Sequence, residues 1–155
     1  TGIGEIRPRD DLAGIIATAA ADHHGGLVDG DVLVVTQKVV SKAEGQLVAV
    51  DPDDPLSHKA LVEAETVRVL RRRGDLVISE TRHGFVCANA GIDRSNLDDG
   101  VAALLPRDSD RSARRIRDRF RDATGTEVGN VEAVRDVGID EFIKAYLLWA
   151  RSQQA

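Results

Sequence analysis

The 155-residue chain is 42% hydrophobic and 30% charged, enough for one domain with a real core, which excludes a disordered tail, a collagen-like fibre and a disulfide scaffold. Cys87 is the single cysteine, so no internal disulfide can form and a reducing, cytoplasmic setting is expected. No apolar run approaches the roughly 18 residues of a membrane span, and the net charge of −5 argues against nucleic acid as the main partner.

The chain opens on Thr1-Gly2-Ile3-Gly4, a glycine-punctuated loop; a start without methionine is compatible with a fragment. Asp10 and Asp11 precede Leu12, Ile15, Ile16 and Ala19, whose spacing predicts a capped helix that ends at His23-His24-Gly25-Gly26. Val32-Leu33-Val34-Val35 is a short apolar, β-branched run that predicts a strand buried on both faces. Thr36 to Lys42 continues it as a polar-edged stretch. After a Pro52/Pro55 loop, Leu61, Ala64, Val67 and Leu70 predict one helix over 57–73. Leu76-Val77-Ile78 and Gly84 to Ala88 are further strand candidates. Asp108 to Thr124 predicts a helix whose apolar face is Ala113, Ile116, Phe120 and Ala123. A last helix is expected from Ile139, with Ile139, Phe142, Ile143, Tyr146, Leu147 and Ala150 on its inner face and Trp149 flanking it. Strands and helices interleave without a βαβ repeat, so the expected class is α+β with a mixed sheet.

Several candidate chemistries are weak. The histidines His23, His24, His58 and His83 lack metal-ligand spacing, and no cysteine pair exists, so a structural zinc site is unsupported. Neither a GxxxxGK[ST] nor a GxGxxG signature occurs. The arginines between Arg107 and Arg121 interleave with Asp108, Asp110, Asp118 and Asp122, which reads as a solvated, partly paired helix face. Phe120 lies on the apolar side, so it offers no base-stacking platform.

Two segments carry more. Gln37, Lys38, Ser41 and Lys42 place cations and donors where a phosphate group would suit them. Further on, Asn89, Asp93, Ser95 and Asn96 crowd a small-residue turn around Gly91. One carboxylate with neutral oxygen donors suits a hard divalent cation, although an Asx-rich turn is also a common structural feature.

Together, SKAEG after an apolar run and HGFVCANAGIDRSN later closely resemble the coenzyme F-420:γ-L-glutamyl ligase family. GIGEIRPRDDL before them and ALLPRDSDRSARRIR after them fit in the same order, so the resemblance runs from Thr1 to about Val128. It implies GTP-dependent addition of L-glutamate to coenzyme F-420 through an acyl phosphate, by a homodimer. Carried over by residue, Thr1, Gly2, Ile3 and Gly4 would contact GTP, as would Gln37, Lys38, Lys42 and Asn96. Lys42 would be the cation at the transferred phosphate, and Asp93 would hold magnesium or manganese.

The resemblance also sets an expectation that the chain does not meet. After Val128 the family should continue into an Asp-Thr metal motif and glycine-rich segments, and 129–155 carry none of these. Residues 1–128 therefore read as the ligase-like part and 129–155 as a divergent tail. Asp93 alone does not make a tight divalent site. An omitted segment, a shortened form and a different architecture that reuses the front half all fit this pattern. A non-catalytic GTP-binding or assembly module is the alternative to a ligase.

Overall fold

Helix-stopping glycines define the first element. In the computed structural model, which describes residues 2–95 and 97–128, helix α1 spans Leu12–His24. It ends where Gly25 takes a left-handed φ of 72°, and the Gly26 N–H then satisfies the Ala20 carbonyl at 3.2 Å. Leu12 joins Ile6, Val40 and Ile116 in one buried cluster, while Ala13 joins Phe120 and Val128 in another. Those shared clusters clamp α1 against helix α4, Ser109–Thr124.

The segment at 32–35 corrects one expectation. It forms no ladder among the described residues, and its burial alternates from one residue to the next. Leu33 and Val35 pack on the first cluster, whereas Val32 and Val34 are 57% and 65% exposed. Alternation over a single core accounts for this: one face is buried, not two. The stretch after it is a helix, α2, Gln37–Ala43. Glutamine, lysine and alanine favour helix, and Val39 and Val40 pack on the first cluster, with Ser41 and Lys42 also buried.

Strand β1, Leu47–Ala49, follows. The long helix expected over 57–73 is only α3, Lys59–Glu65. The chain then becomes strand β2, Thr66–Arg73, hairpinned through Gly74-Asp75 to β3, Leu76–Thr81. Thr66, Val67 and Val69 are β-branched, and Gly74 accepts a φ of 58°, so the two-residue turn and its ladder override the helical spacing. The predicted apolar stripe is accordingly not buried as one face: Val62 and Glu65 are buried, and Val67 and Leu70 are exposed.

Strand β4, Val86–Ala88, completes a three-stranded antiparallel sheet in the order β2-β3-β4. Strand β5, Val101–Ala103, pairs antiparallel with β1. The α+β class therefore holds. Helix α4 forms as expected, with Asp108 capping the Arg111 N–H at 2.9 Å and Ile116 and Phe120 buried. Ala123 is exposed, and Ser112 is buried in its place. No helix among the described residues is long and apolar enough to cross a membrane. The helix expected from Ile139 lies outside the described residues, as does the rest of 129–155.

Candidate functional site

Helix α2 organises the site because its i,i+4 spacing stacks Gln37 over Ser41 and Lys38 over Lys42. Gln37 Nε2 donates to Ser41 Oγ at 3.0 Å and to the Leu104 carbonyl at 3.2 Å. This ties the polar side of α2 to the end of β5. Ser41 itself is fully buried.

Lys38 reaches the second sequence segment. Its Nζ donates to the Ser95 carbonyl at 2.7 Å and to Ser95 Oγ at 2.8 Å, and it lies 2.8 Å from Asp93 Oδ2. The other Asp93 oxygen accepts from the Ser95 N–H and hydroxyl, both at 2.7 Å. Backbone pairing with β5 positions Asp93, since its N–H donates to Ala103 O at 3.0 Å and Ala103 N–H returns at 2.8 Å. Partial burial opposes ionisation of Asp93. The Lys38 ammonium and the Ser95 donors outweigh it and hold the carboxyl below its ordinary value of 3.8.

Lys42 is buried at the other end of the same face. Its ammonium pairs with the Glu5 carboxylate, which follows directly on the opening loop. Gly2, Ile3 and Gly4 are exposed there, so the loop and Lys42 meet through Glu5. The expected residues thus converge in part. Gln37, Lys38 and Lys42 share one helix, Asp93 joins them through Lys38, and the loop joins through Lys42. Thr1 and Asn96 lie outside the described residues. Asn89 is committed elsewhere, its Oδ1 accepting from the Val77 N–H at 3.0 Å.

Sequence spacing did not single out Glu5 as a partner, and no local pattern signals a contact across 37 residues. Ser95 sat in the Asx-rich turn, but its role as a bridge between Asp93 and Lys38 needed the tertiary fold. Among the described residues no group of three or more His, Cys, Asp or Glu side chains is placed to hold a metal ion. Asp93 offers one carboxylate, already opposed by an ammonium. The described residues therefore do not by themselves fit a resident divalent ion.

The family model described as F420-0:Gamma-glutamyl ligase matches residues 2–136. A coenzyme F420:L-glutamate ligase of Methanothermobacter thermautotrophicus is 43% identical over 141 residues, covering 82% of this chain and 56% of that protein. The ligase of the same name from Methanopyrus kandleri is 41% identical over 139 residues, covering 81% of this chain and 53% of its own. One from Methanococcus maripaludis is 38% identical over 117 residues, with 66% and 47% covered. The chain thus spans about half the length of the curated relatives it matches. It belongs to the F420-0:Gamma-glutamyl ligase family.

Proposed function

We propose that this chain supplies the nucleotide-contacting part of a GTP-dependent ligase that adds L-glutamate to coenzyme F-420, working as a cytoplasmic homodimer. The observation that carries the reading is the Lys38 ammonium, which joins α2 to Asp93 and Ser95 across 57 residues of sequence. It thereby brings together the two segments on which a phosphate-handling site would be built.

In the proposed reaction, a carboxylate oxygen of the acceptor attacks the γ-phosphorus of GTP, GDP leaves, and an acyl phosphate forms. The amine of glutamate then attacks the acyl carbon, phosphate leaves with the bonding pair, and the nitrogen loses a proton to give the amide. Activation is needed because a carboxylate is a poor electrophile until one oxygen becomes a good leaving group. Phosphoryl transfer depends chiefly on positioning and charge neutralisation. Lys38 and Lys42 would offset charge on the phosphates, Gln37 would donate to them, and Gly2, Ile3 and Gly4 would offer backbone to the nucleotide. Thr1 and Asn96 complete the proposed contacts. Asp93, paired with Lys38, would be the carboxylate that meets magnesium or manganese arriving with the triphosphate, and no resident metal is assigned to it.

The alternative reading is a GTP-binding or assembly module derived from that ligase, without turnover. Incubation with GTP, L-glutamate, coenzyme F-420 and magnesium or manganese, followed by mass spectrometry of the acceptor, separates the two. Added glutamate units that require GTP support the ligase. Saturable GTP binding with no added mass supports the module, and neither binding nor turnover refutes both.

A further inference from the structure

A second cationic feature lies at the far end of α2. Seven residues of helix put it about 10 Å from the Lys38 end. There, the turn before α1, the α2–β1 turn and the start of α4 enclose an open cleft of about 650 Å³. That volume is typical of small-molecule sites.

Charge pairing in this cleft is lopsided. Five arginines face four carboxylates, Asp10, Asp11, Glu44 and Asp108; Asp11 and Glu44 are ion-paired, whereas Asp10 and Asp108 are held by backbone N–H groups. Asp10 accepts from the Arg7 N–H at 2.7 Å and Asp108 from the Arg111 N–H at 2.9 Å. Asp11 lies 3.7 Å from Arg119, and Glu44 is held by Ser112 and by Arg115 at 3.0 Å. Arg9, Arg107 and Arg111 also line the cleft, yet none makes an ion pair among the described residues. Among the described residues this leaves the guanidiniums of Arg9, Arg107 and Arg111 on one cleft without a carboxylate partner.

Backbone conformation points the same way. Arg7 to Asp10 is a turn closed by the Asp10 N–H on the Arg7 carbonyl at 3.1 Å, with Pro8 second and Arg9 third. Arg9 has a φ of 76°, which at that position of a turn favours glycine. Arg9 N–H is further fixed to the Ala43 carbonyl at 2.8 Å. An arginine is thus held, against its backbone preference, on the cleft that Arg107 and Arg111 also line, the pattern of strain retained at a functional site.

We propose that Arg9, Arg107 and Arg111 form a binding site for a small polyanion carrying two or more carboxylate or phosphate groups. A guanidinium fork matches either group in a bidentate fashion. Two sources share this chemistry: a γ-glutamyl chain and a polyphosphate.

Isothermal titration of the full chain with γ-linked triglutamate and with inorganic tripolyphosphate tests the site without requiring turnover. Its outcome is therefore independent of the ligase reading. Binding of either probe should weaken at least about tenfold in the Arg107→Ala/Arg111→Ala double variant and weaken further as salt rises. Arg9→Gly should weaken it too while leaving the melting temperature unchanged or raised. Arg114→Ala, on the same helix but outside the cleft, should not affect it. Preference for triglutamate identifies a γ-glutamyl ligand, and preference for tripolyphosphate a phosphate ligand. Failure of both probes to bind at about millimolar concentration, or unchanged affinity in folded double and Arg9→Gly variants, overturns the site.

Discussion

Replacing Asp93 by asparagine removes one charge and almost no volume, which isolates electrostatics from packing. The amide oxygen can still accept from the Ser95 N–H and hydroxyl, but the ion pair with Lys38 at 2.8 Å is lost. Exposed pairs contribute up to about 1 kcal/mol, and breaking buried ones costs about 3–5 kcal/mol. With side chains 20% and 33% exposed, this pair falls between those limits, nearer the exposed one, so the expected loss is about 1–2 kcal/mol. Because the folded carboxyl ionises below its ordinary value of 3.8, its contribution is complete above that value and disappears as pH falls through the folded one. Urea denaturation of both proteins should therefore show a gap at neutral pH that closes well below pH ~4. A loss of this size leaves a domain of ordinary stability folded, so a fall of about a hundredfold or more in glutamate addition would exceed what unfolding can explain. A stability gap that persists unchanged into strong acid would refute the assigned role of the Asp93 charge. Full ligase activity in Asp93→Asn would remove Asp93 from the proposed phosphate and metal chemistry.

Gly91 combines a φ of 73° with Leu105 side-chain atoms only 2.7 Å from where a Cβ would sit. Gly91→Ala should cost about 2 kcal/mol or more, seen as a lower urea midpoint, and adding Leu105→Ala should recover only the steric part. Phe120 is 1% exposed and joins α1, α4 and Val128. Phe120→Ala should cost about 3–5 kcal/mol in the same assay. Lys42 is paired with a Glu5 side chain that is 68% exposed, so Lys42→Met strands no buried carboxylate there. It should lower GTP affinity at least about tenfold in a fluorescence titration while the melting temperature moves by only a few degrees.

Much of the site was legible because its residues lie in short contiguous blocks. Lys38, Lys42 and Gln37 stood out as a polar cluster even though the segment was read as the continuation of a strand and is the helix α2. The i,i+4 match of Lys38 with Lys42 was visible in the sequence, but the apolar run before it favoured the wrong period. Strands β3 and β4 followed from short apolar runs, and helix α4 from the spacing of Ala113, Ile116, Phe120 and Ala123. The change from α3 to β2 at Thr66 was hidden, because Leu61, Ala64, Val67 and Leu70 mimic helical spacing and only the hairpin partner decides between the alternatives. The Glu5–Lys42 and Glu44–Ser112 contacts were also hidden, since long-range pairs leave no local pattern. Arg9 was the least legible of all: nothing in RPRD announces that arginine occupies a glycine-like backbone position.

In the proposed function, α2 and the opening loop together receive a nucleoside triphosphate. Backbone amide NMR of the labelled chain, titrated with GTP and magnesium, tests it without requiring turnover. Saturable shifts are expected at Gly2–Gly4, Gln37–Lys42 and Asp93–Ser95, lost together in a folded Lys38→Ala/Lys42→Met variant. No shifts at saturating GTP, or shifts confined to other surfaces and unchanged in that variant, would contradict it.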